Sequence, residues 1–184
     1  MKTLADCEEH HHREQYFFDE KTLHELADFA QSFDSVCCIC APMLGCELHR
    51  RGKRVRVLDV DERFNNLSGF LRWDLYRPTH LDDEFDLIVC DPPFFTVSLS
   101  QLFTAIRLLC HFDLARKVMI SYPVRRERAI LGTFSPFGLR ETGYRPGYLT
   151  VQQCEKNDIA FYANFDLKIP QSNALKKETP IRSY

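Results

Sequence analysis

Apolar residues along this chain change period several times, and the changes mark out alternating helices and strands. Residues 19–33, DEKTLHELADFAQSF, set Leu23, Leu26, Ala27, Ala30 and Phe33 at helical spacing behind acidic residues suited to a first turn. SVCCICAP (35–42) then reads as a buried strand, and MLGCELHRRG (43–52) as a short helix closing on Gly52. RVRVLDVD (54–61) alternates with period two, which predicts a second strand with Asp59 and Asp61 on one face. GFLRWDLYRP (69–78) reads as a short third strand and a loop, and DLIVCD (86–91) as a fourth strand, apolar throughout its middle as central parallel strands are.

Beyond a Pro-Pro pair, Leu99, Leu102, Phe103, Ile106 and Leu109 mark a helix, with Ser98 and Gln101 spaced as a capping box. KVMISYP (117–123) predicts a fifth strand and RRERAILGTF (125–134) a helix. GYLTVQQ (147–153) and DIAFYANFD (158–166), separated by CEKN, read as a closing hairpin.

This order predicts an α/β fold: a mostly parallel sheet with helices on both faces and a C-terminal antiparallel hairpin. Ligands of such sheets bind beyond the carboxyl ends of the strands. Ala41-Pro42, Asp59 to Asp61, Trp73-Asp74-Leu75, Asp91 to Phe95 and Tyr122 to Arg128 are therefore expected along one edge. The second-strand acids stand where dinucleotide-type folds place a carboxylate on ribose hydroxyls. The chain divides into a polar leader (1–14), one domain (15–168) and a polar tail (169–184).

Composition narrows the setting. With 184 residues, 45% hydrophobic and 27% charged, the chain suits one globular domain. It has no apolar run of the ~20 residues a membrane span requires. MKTLADCEEHHHRE lacks an apolar signal core, so export is not expected. The eight cysteines fall largely in apolar runs and read as buried thiols of a reducing, cytoplasmic protein. CCIC is a poor metal site, because on a strand Cys37 points away from Cys38 and Cys40. His10 to His12 read as exposed leader, and no metal is expected.

The net charge of −2 and pI near 6.4 rule out a globally basic surface for gripping nucleic acid. Arg50, Arg51, Lys53 and Arg54 precede the second strand, at the edge away from the ligand. Arg125, Arg126 and Arg128 follow the fifth strand and are the candidates for phosphate or acidic-partner contact.

DPPF, directly after a buried strand, resembles the Asp/Asn/Ser-Pro-Pro-aromatic motif of class I S-adenosylmethionine-dependent amino-methyltransferases. With QYFF (15–18), ICAP (39–42), LDVDERF (58–64), Trp73-Asp74 and FDLIVCDPPF (85–94) in this order, the chain resembles the probable N6-adenine methyltransferase family. That family includes elongation-factor lysine methyltransferases and a zinc-knuckle rRNA adenine methyltransferase. The chain lacks a Gly-x-Gly turn after the first strand, as the family does, and lacks the Cys/His-rich RNA-binding domains of the zinc-knuckle member.

The resemblance implies a Rossmann-like, seven-stranded methyltransferase domain that uses S-adenosyl-L-methionine. It implies a cofactor site of Ala41, Pro42, Asp59, Asp61, Trp73, Asp74, Leu75 and Asp91, with Asp59 favoured for the ribose and Asp61 nearby or paired to Arg63. Asp91, Pro92, Pro93 and Phe94 would be catalytic. Phe94, Phe95, Tyr16, Phe17, Arg125, Arg126 and Arg128 would meet the substrate.

The chemistry needs such a motif. An adenine N6 amine is a poor nucleophile because its lone pair is delocalised into the ring. A carboxylate and a fixed carbonyl accepting its two N–H bonds draw the nitrogen towards tetrahedral geometry. The Pro-Pro unit fixes φ twice and so holds the Pro92 carbonyl in place. Methylation of adenine N6 in RNA, a ribosomal particle or another nucleic acid such as DNA leads the readings. A protein lysine comes second and a catalytically silent cofactor-binding partner subunit third. The pattern specifies no oligomeric state.

Overall fold

The computed structural model describes residues 8–169. Seven strands form one sheet: β1 (Val36–Ile39), β2 (Val55–Asp59), β3 (Phe70–Arg72), β4 (Leu87–Cys90), β5 (Lys117–Pro123), β6 (Arg140–Glu141) and β7 (Ile159–Ala163), in the order β3-β2-β1-β4-β5-β7-β6. The first five pair in parallel, and β7 runs antiparallel to both β5 and β6. Four helices cover the faces: α1 (Glu20–Ala30), α2 (Pro42–Arg50), α3 (Leu99–Leu109) and α4 (Glu127–Thr133).

Alternation along the central strands feeds two hydrophobic cores. Cys38, Val57, Val89 and Met119 face α1 and α2, packing with Leu23, Leu26, Leu44 and Leu48. Cys37, Leu58, Ile88, Cys90 and Ile120 face the other way, packing with Leu102 and Ile106 of α3 and Ile130 of α4. The neighbouring thiols of Cys37 and Cys38 are thus spent as packing on opposite faces. On the first face α2 approaches β2 closely at Gly45, where an added Cβ would lie 2.2 Å from Val57 Cγ2.

The helices start where their side chains cap them. Asp19 Oδ1 accepts the Thr22 N–H (2.8 Å) ahead of α1, and Pro42 opens α2. Both halves of the Ser98–Gln101 capping box form at α3. β1 stops at Ile39 rather than at residue 42, because Cys40 turns left-handed (φ 53°) and Pro42 begins a helix. β2 stops at Asp59, so Asp61 belongs to the next turn and strand alternation does not set its direction. A 3-10 turn, Val124–Arg126, intervenes before α4.

The closing antiparallel pair exists, but with a different arm from the one expected. β7 pairs with Arg140–Glu141, while residues 147–153 form no strand. Their backbone is claimed by the N-terminal segment: Leu149 N–H donates to the Phe17 carbonyl (2.9 Å) and Asp19 N–H to the Gly147 carbonyl (2.9 Å). A bridge from Phe18 to Tyr148 completes the seam. The tail expected over 169–184 lies, apart from buried Ile169, outside the described residues.

This seam makes Gly147 a testable joint. A Cβ there would sit 2.0 Å from Asp19 Oδ2, and the Gly147 N–H already donates to Thr22 Oγ1 (2.8 Å). Gly147→Ala is expected to dislodge the α1 cap and cost about 1–2 kcal/mol in urea denaturation. Gly132→Ala, at an open position of α4 with nothing within 4 Å, should instead gain about 0.5–1 kcal/mol.

Candidate active site

Strand order reverses between β1 and β4, and the polar groups gather at that point. The strand ends are laced together: Cys40 N–H donates to the Leu58 carbonyl (2.9 Å), Asp91 N–H to the Ile39 carbonyl (3.0 Å), and Trp73 N–H to the Asp59 carbonyl (3.0 Å). Ala41 and Pro42, both buried, open α2 beside them. Burial pushes the Cys40 thiol well up, and the charges of Asp59, Asp91 and Asp74 act in the same direction. Three of the four candidate acids therefore converge around one residue.

Asp91 is half-buried, and its Oδ1 receives two hydroxyls. Tyr148 donates from 2.8 Å and Ser121 makes a second, short hydrogen bond. Desolvation raises its carboxyl to about 7, against the pull of those two donors. The charge of Asp91 in turn adds to burial in pushing the Tyr148 phenol well up. No described residue donates to Oδ2 of Asp91 or to the Pro92 carbonyl. Two acceptors on consecutive residues are thus left without donors among the described residues.

Ser121 and Tyr148 were not among the residues picked out from the sequence. Ser121 did carry a signal, as the one small hydroxyl within the apolar run VMISYP. Tyr148 ends YRPGY (144–148), which is similar to the family in outline only, and its run otherwise looked like an ordinary strand.

The two second-strand acids part company. Asp59 is buried, and its Oδ1 accepts the Asp61 N–H (2.9 Å); burial raises its carboxyl to about 6. Asp61 is also buried, which opposes ionisation, but the Arg63 guanidinium and the Gln15 amide outweigh this and hold it at about 2. Arg63 Nη2 lies 2.6 Å from Asp61 Oδ2, and Gln15 Nε2 donates to the same oxygen (2.9 Å). Asp59 has no ion-pair partner among the described residues.

On the third strand's exit, Trp73 is buried with its indole N–H on the Thr79 carbonyl (3.1 Å), and Leu75 is buried near it. Asp74 Oδ1 accepts the Tyr76 N–H (2.9 Å), which fixes the turn.

The motif loop is clamped from two sides. Phe94 packs edge-on to Tyr122, with ring centroids 5.8 Å apart, and its carbonyl accepts Arg126 Nη1 (2.8 Å). The Arg126 guanidinium also lies over the Tyr122 ring. Glu14 Oε2 accepts the N–H groups of Phe95 (3.1 Å) and Thr96 (3.2 Å) and the Thr96 hydroxyl (3.1 Å). Glu14 falls in the stretch expected to be an idle polar leader, yet it anchors the residues just after DPPF.

The expected substrate group divides accordingly. Phe17 is buried edge-on to Phe64, and Phe18, beside it, packs on Tyr148. Tyr16 is half-buried and stacks on His11. Arg126 turns inward to the Phe94 carbonyl, whereas Arg125 and Arg128 stay exposed, Arg125 over the outward Phe95 ring.

Elsewhere, a depression of about 520 Å³ at the opposite edge is lined by Lys53, Arg54, Arg56 and Asp83 among others, and includes none of these residues. Among the described residues, no helix is long and apolar enough to cross a membrane, and no cluster of three His, Cys, Asp or Glu side chains is placed to hold a metal.

Several solved structures share this architecture. The N-methyltransferase NodS from Bradyrhizobium japonicum WM9 in complex with S-adenosyl-L-homocysteine has 17% identity and a TM-score of 0.54, over 78% of this chain and 84% of that one. Ribosomal protein L11 methylase from Lactobacillus delbrueckii subsp. bulgaricus has 14% identity and a TM-score of 0.50, over 82% and 80%. An S-adenosylmethionine-dependent methyltransferase from Clostridium acetobutylicum ATCC 824 has 9% identity and a TM-score of 0.57, over 79% and 91%. At these identities the likeness concerns the fold, a Rossmann-like methyltransferase. No curated protein matches the chain. A sequence family described as Probable N6-adenine methyltransferase matches residues 9–167, a span that includes every strand of the sheet and every residue of the site above. The chain therefore belongs to the probable N6-adenine methyltransferase family and is an S-adenosylmethionine-dependent methyltransferase.

Proposed function

We propose that the protein methylates the N6 amine of adenine in RNA, with the Asp91–Pro92 acceptor pair as the catalytic centre. The observation that carries this reading is the orientation of Asp91. Ser121 and Tyr148 occupy Oδ1, so Oδ2 and the Pro92 carbonyl remain as two acceptors for the two N–H bonds of one amine.

The residues present fit the cofactor. Asp59 is a buried carboxylate held only by backbone N–H groups, an acceptor suited to ribose hydroxyls. Asp74 would take the cofactor's adenine amine, and Ala41 and Pro42 would border its amino-acid end. Asp61 stabilises the neighbouring turn through Arg63 and Gln15. When bound, S-adenosylmethionine supplies an electrophilic methyl group.

The chain's own residues prepare the nucleophile. Asp91 and the Pro92 carbonyl hold the amine hydrogens and draw the nitrogen out of conjugation, exposing its lone pair. Phe94, locked by Tyr122 and Arg126, offers a ring for the target base. The proton shed as the nitrogen gains its new substituent passes to the Asp91 carboxylate. A lysine target fits less well: a carboxylate beside it favours the unreactive ammonium, and Arg125 and Arg128 at the mouth repel a cation.

Cofactor binding, methyl transfer and their pH dependence test this. S-adenosyl-L-homocysteine is expected to raise Tm of the wild type and of Asp91→Ala alike. Asp91→Ala should lose at least about 100-fold in labelled methyl transfer to nuclease-sensitive RNA; label that survives nuclease but not protease would replace adenine with lysine.

The rate should climb as pH rises through about 7, where Asp91 ionises. Because the Ser121 and Tyr148 hydroxyls favour the ionised form, Ser121→Ala and Tyr148→Phe should each push this limb to higher pH. Each should slow the reaction about tenfold at pH 7, with recovery at pH 9. A uniform loss at all pH values would remove their assigned role.

Stability of the cofactor-free protein should show the converse. The folded Asp91 holds a proton between about 4 and about 7 that the unfolded chain has lost, so stability falls as pH rises through that window. Asp91→Asn removes the fall. It should raise Tm by several degrees at pH 8 and leave it unchanged at pH 4.

A further inference from the structure

We infer that Phe95 and Arg125 form an outer stacking platform for the nucleotide adjoining the target adenine, with Arg125 and Arg128 reaching its phosphate. This rests on the RNA reading above and names a subsite that the DPPF chemistry itself does not require.

The first ground is that two consecutive aromatic residues are put to opposite uses. Phe94 is turned inward onto Tyr122, while Phe95 is 65% exposed. A large apolar ring in water is usually the mark of a contact surface or of a loose loop. Here the loop is fixed on both sides of the ring: Arg126 holds the Phe94 carbonyl, and Glu14 holds the backbone N–H of Phe95 and of Thr96. The ring is therefore presented, at little entropic cost to a ligand that covers it.

The second ground is charge. The Arg125 guanidinium lies 5.4 Å from the centroid of the Phe95 ring. Neither Arg125 nor Arg128 has a carboxylate partner among the described residues, whereas Arg50, Arg51, Arg56, Arg63 and Arg116 are all paired. A planar ring with the uncommitted Arg125 guanidinium against it, and a second exposed arginine three residues along, matches a base stacked on the ring with its phosphate on the arginines. The same charges disfavour a lysine-bearing segment. The platform follows directly after the residue assigned to the target base, so its occupant is the neighbour of that base in a single strand.

The test uses the full chain with saturating S-adenosyl-L-homocysteine and a 20-nucleotide single-stranded RNA pool randomised around a central adenine. Binding is read by fluorescence anisotropy over a salt series, and methyl transfer to the same pool is followed with labelled cofactor. Phe95→Ala is expected to weaken RNA binding about tenfold and raise KM with little change in kcat. Phe95→Trp should restore binding. Arg125→Ala and Arg128→Ala should each reduce the salt slope by about one. Stabilisation by S-adenosyl-L-homocysteine should be the same in all variants, which shows that they fold.

Equal RNA affinity and KM in Phe95→Ala and wild type, with the pool still methylated, overturns the platform and leaves the adenine reading standing. A wild type that neither binds nor methylates the pool, or that labels only protein, overturns both. Failure of Phe95→Trp to restore binding would also overturn stacking as the ring's role.

Discussion

Everything at this site depends on two short strands that have no polar side chain to place. β1 and β4 are buried on both faces and pair in register from Val36 with Leu87 to Ile39 with Cys90. In so apolar a layer the backbone must satisfy its own hydrogen bonds, and polar side chains are admitted only past the last rung. Asp91 is the first such residue on β4. Its own N–H still completes the ladder on Ile39, so its carboxylate begins where the sheet ends. The position of the chemistry is a consequence of how the core is filled.

That placement has an electrostatic cost which the fold offsets only in part. Asp59 is buried and Asp91 half-buried, neither has a salt-bridge partner among the described residues, and desolvation raises both, to about 6 and about 7. Asp61, two residues from Asp59 and equally buried, is brought down to about 2 because Arg63 and Gln15 close around it. The contrast separates the acids by task. Asp61 has its needs met inside the protein by a cation and an amide, whereas Asp59 and Asp91 have hydrogen-bond donors but no salt bridge among the described residues. The core carries the cost, and a ligand that brings its own N–H or O–H donors relieves it.

Local pattern was enough wherever an element's partners lie within its own βα unit. The α3 capping box, the reach of β5 from Lys117 to Pro123 and the apolar run of β4 were all legible, because periodicity and capping are properties of the segment itself. Residues 147–153 were misread for the complementary reason. Their alternation is that of a strand, but their hydrogen bonds go to residues 17 to 19, at the other end of the chain, and no local signal records that. The same seam delivers Tyr148 to Asp91, so the error in the hairpin and the omission of Tyr148 are one event. Ser121 was visible as a polar interruption of an apolar strand, but its meaning needed β4 beside it. Asp59 and Asp61 seemed equivalent only while both were assigned to a strand; the turn after Asp59 distinguishes them.

The segment from Glu8 to Asp19 shows how far function can lie from a motif. Its carboxylates and amides are distributed over three parts of the rim: Gln15 on Asp61 and Arg63, Glu14 on Phe95 and Thr96, and Glu9 on Thr150 and the Phe17 N–H. The Glu8 carbonyl takes a further donor from Arg63. No contact in that set is strong alone, and several are partly exposed, where a hydrogen bond or ion pair contributes about 1 kcal/mol or less. Their effect comes from being carried on one short stretch of backbone. The loop that ends β2, the loop that follows DPPF and the loop that supplies Tyr148 share a single support, so none can shift without working against the other two. A sheet edge built from separate loops is thereby tied to one segment, and the pair of fixed acceptors proposed for the amine depends on such support.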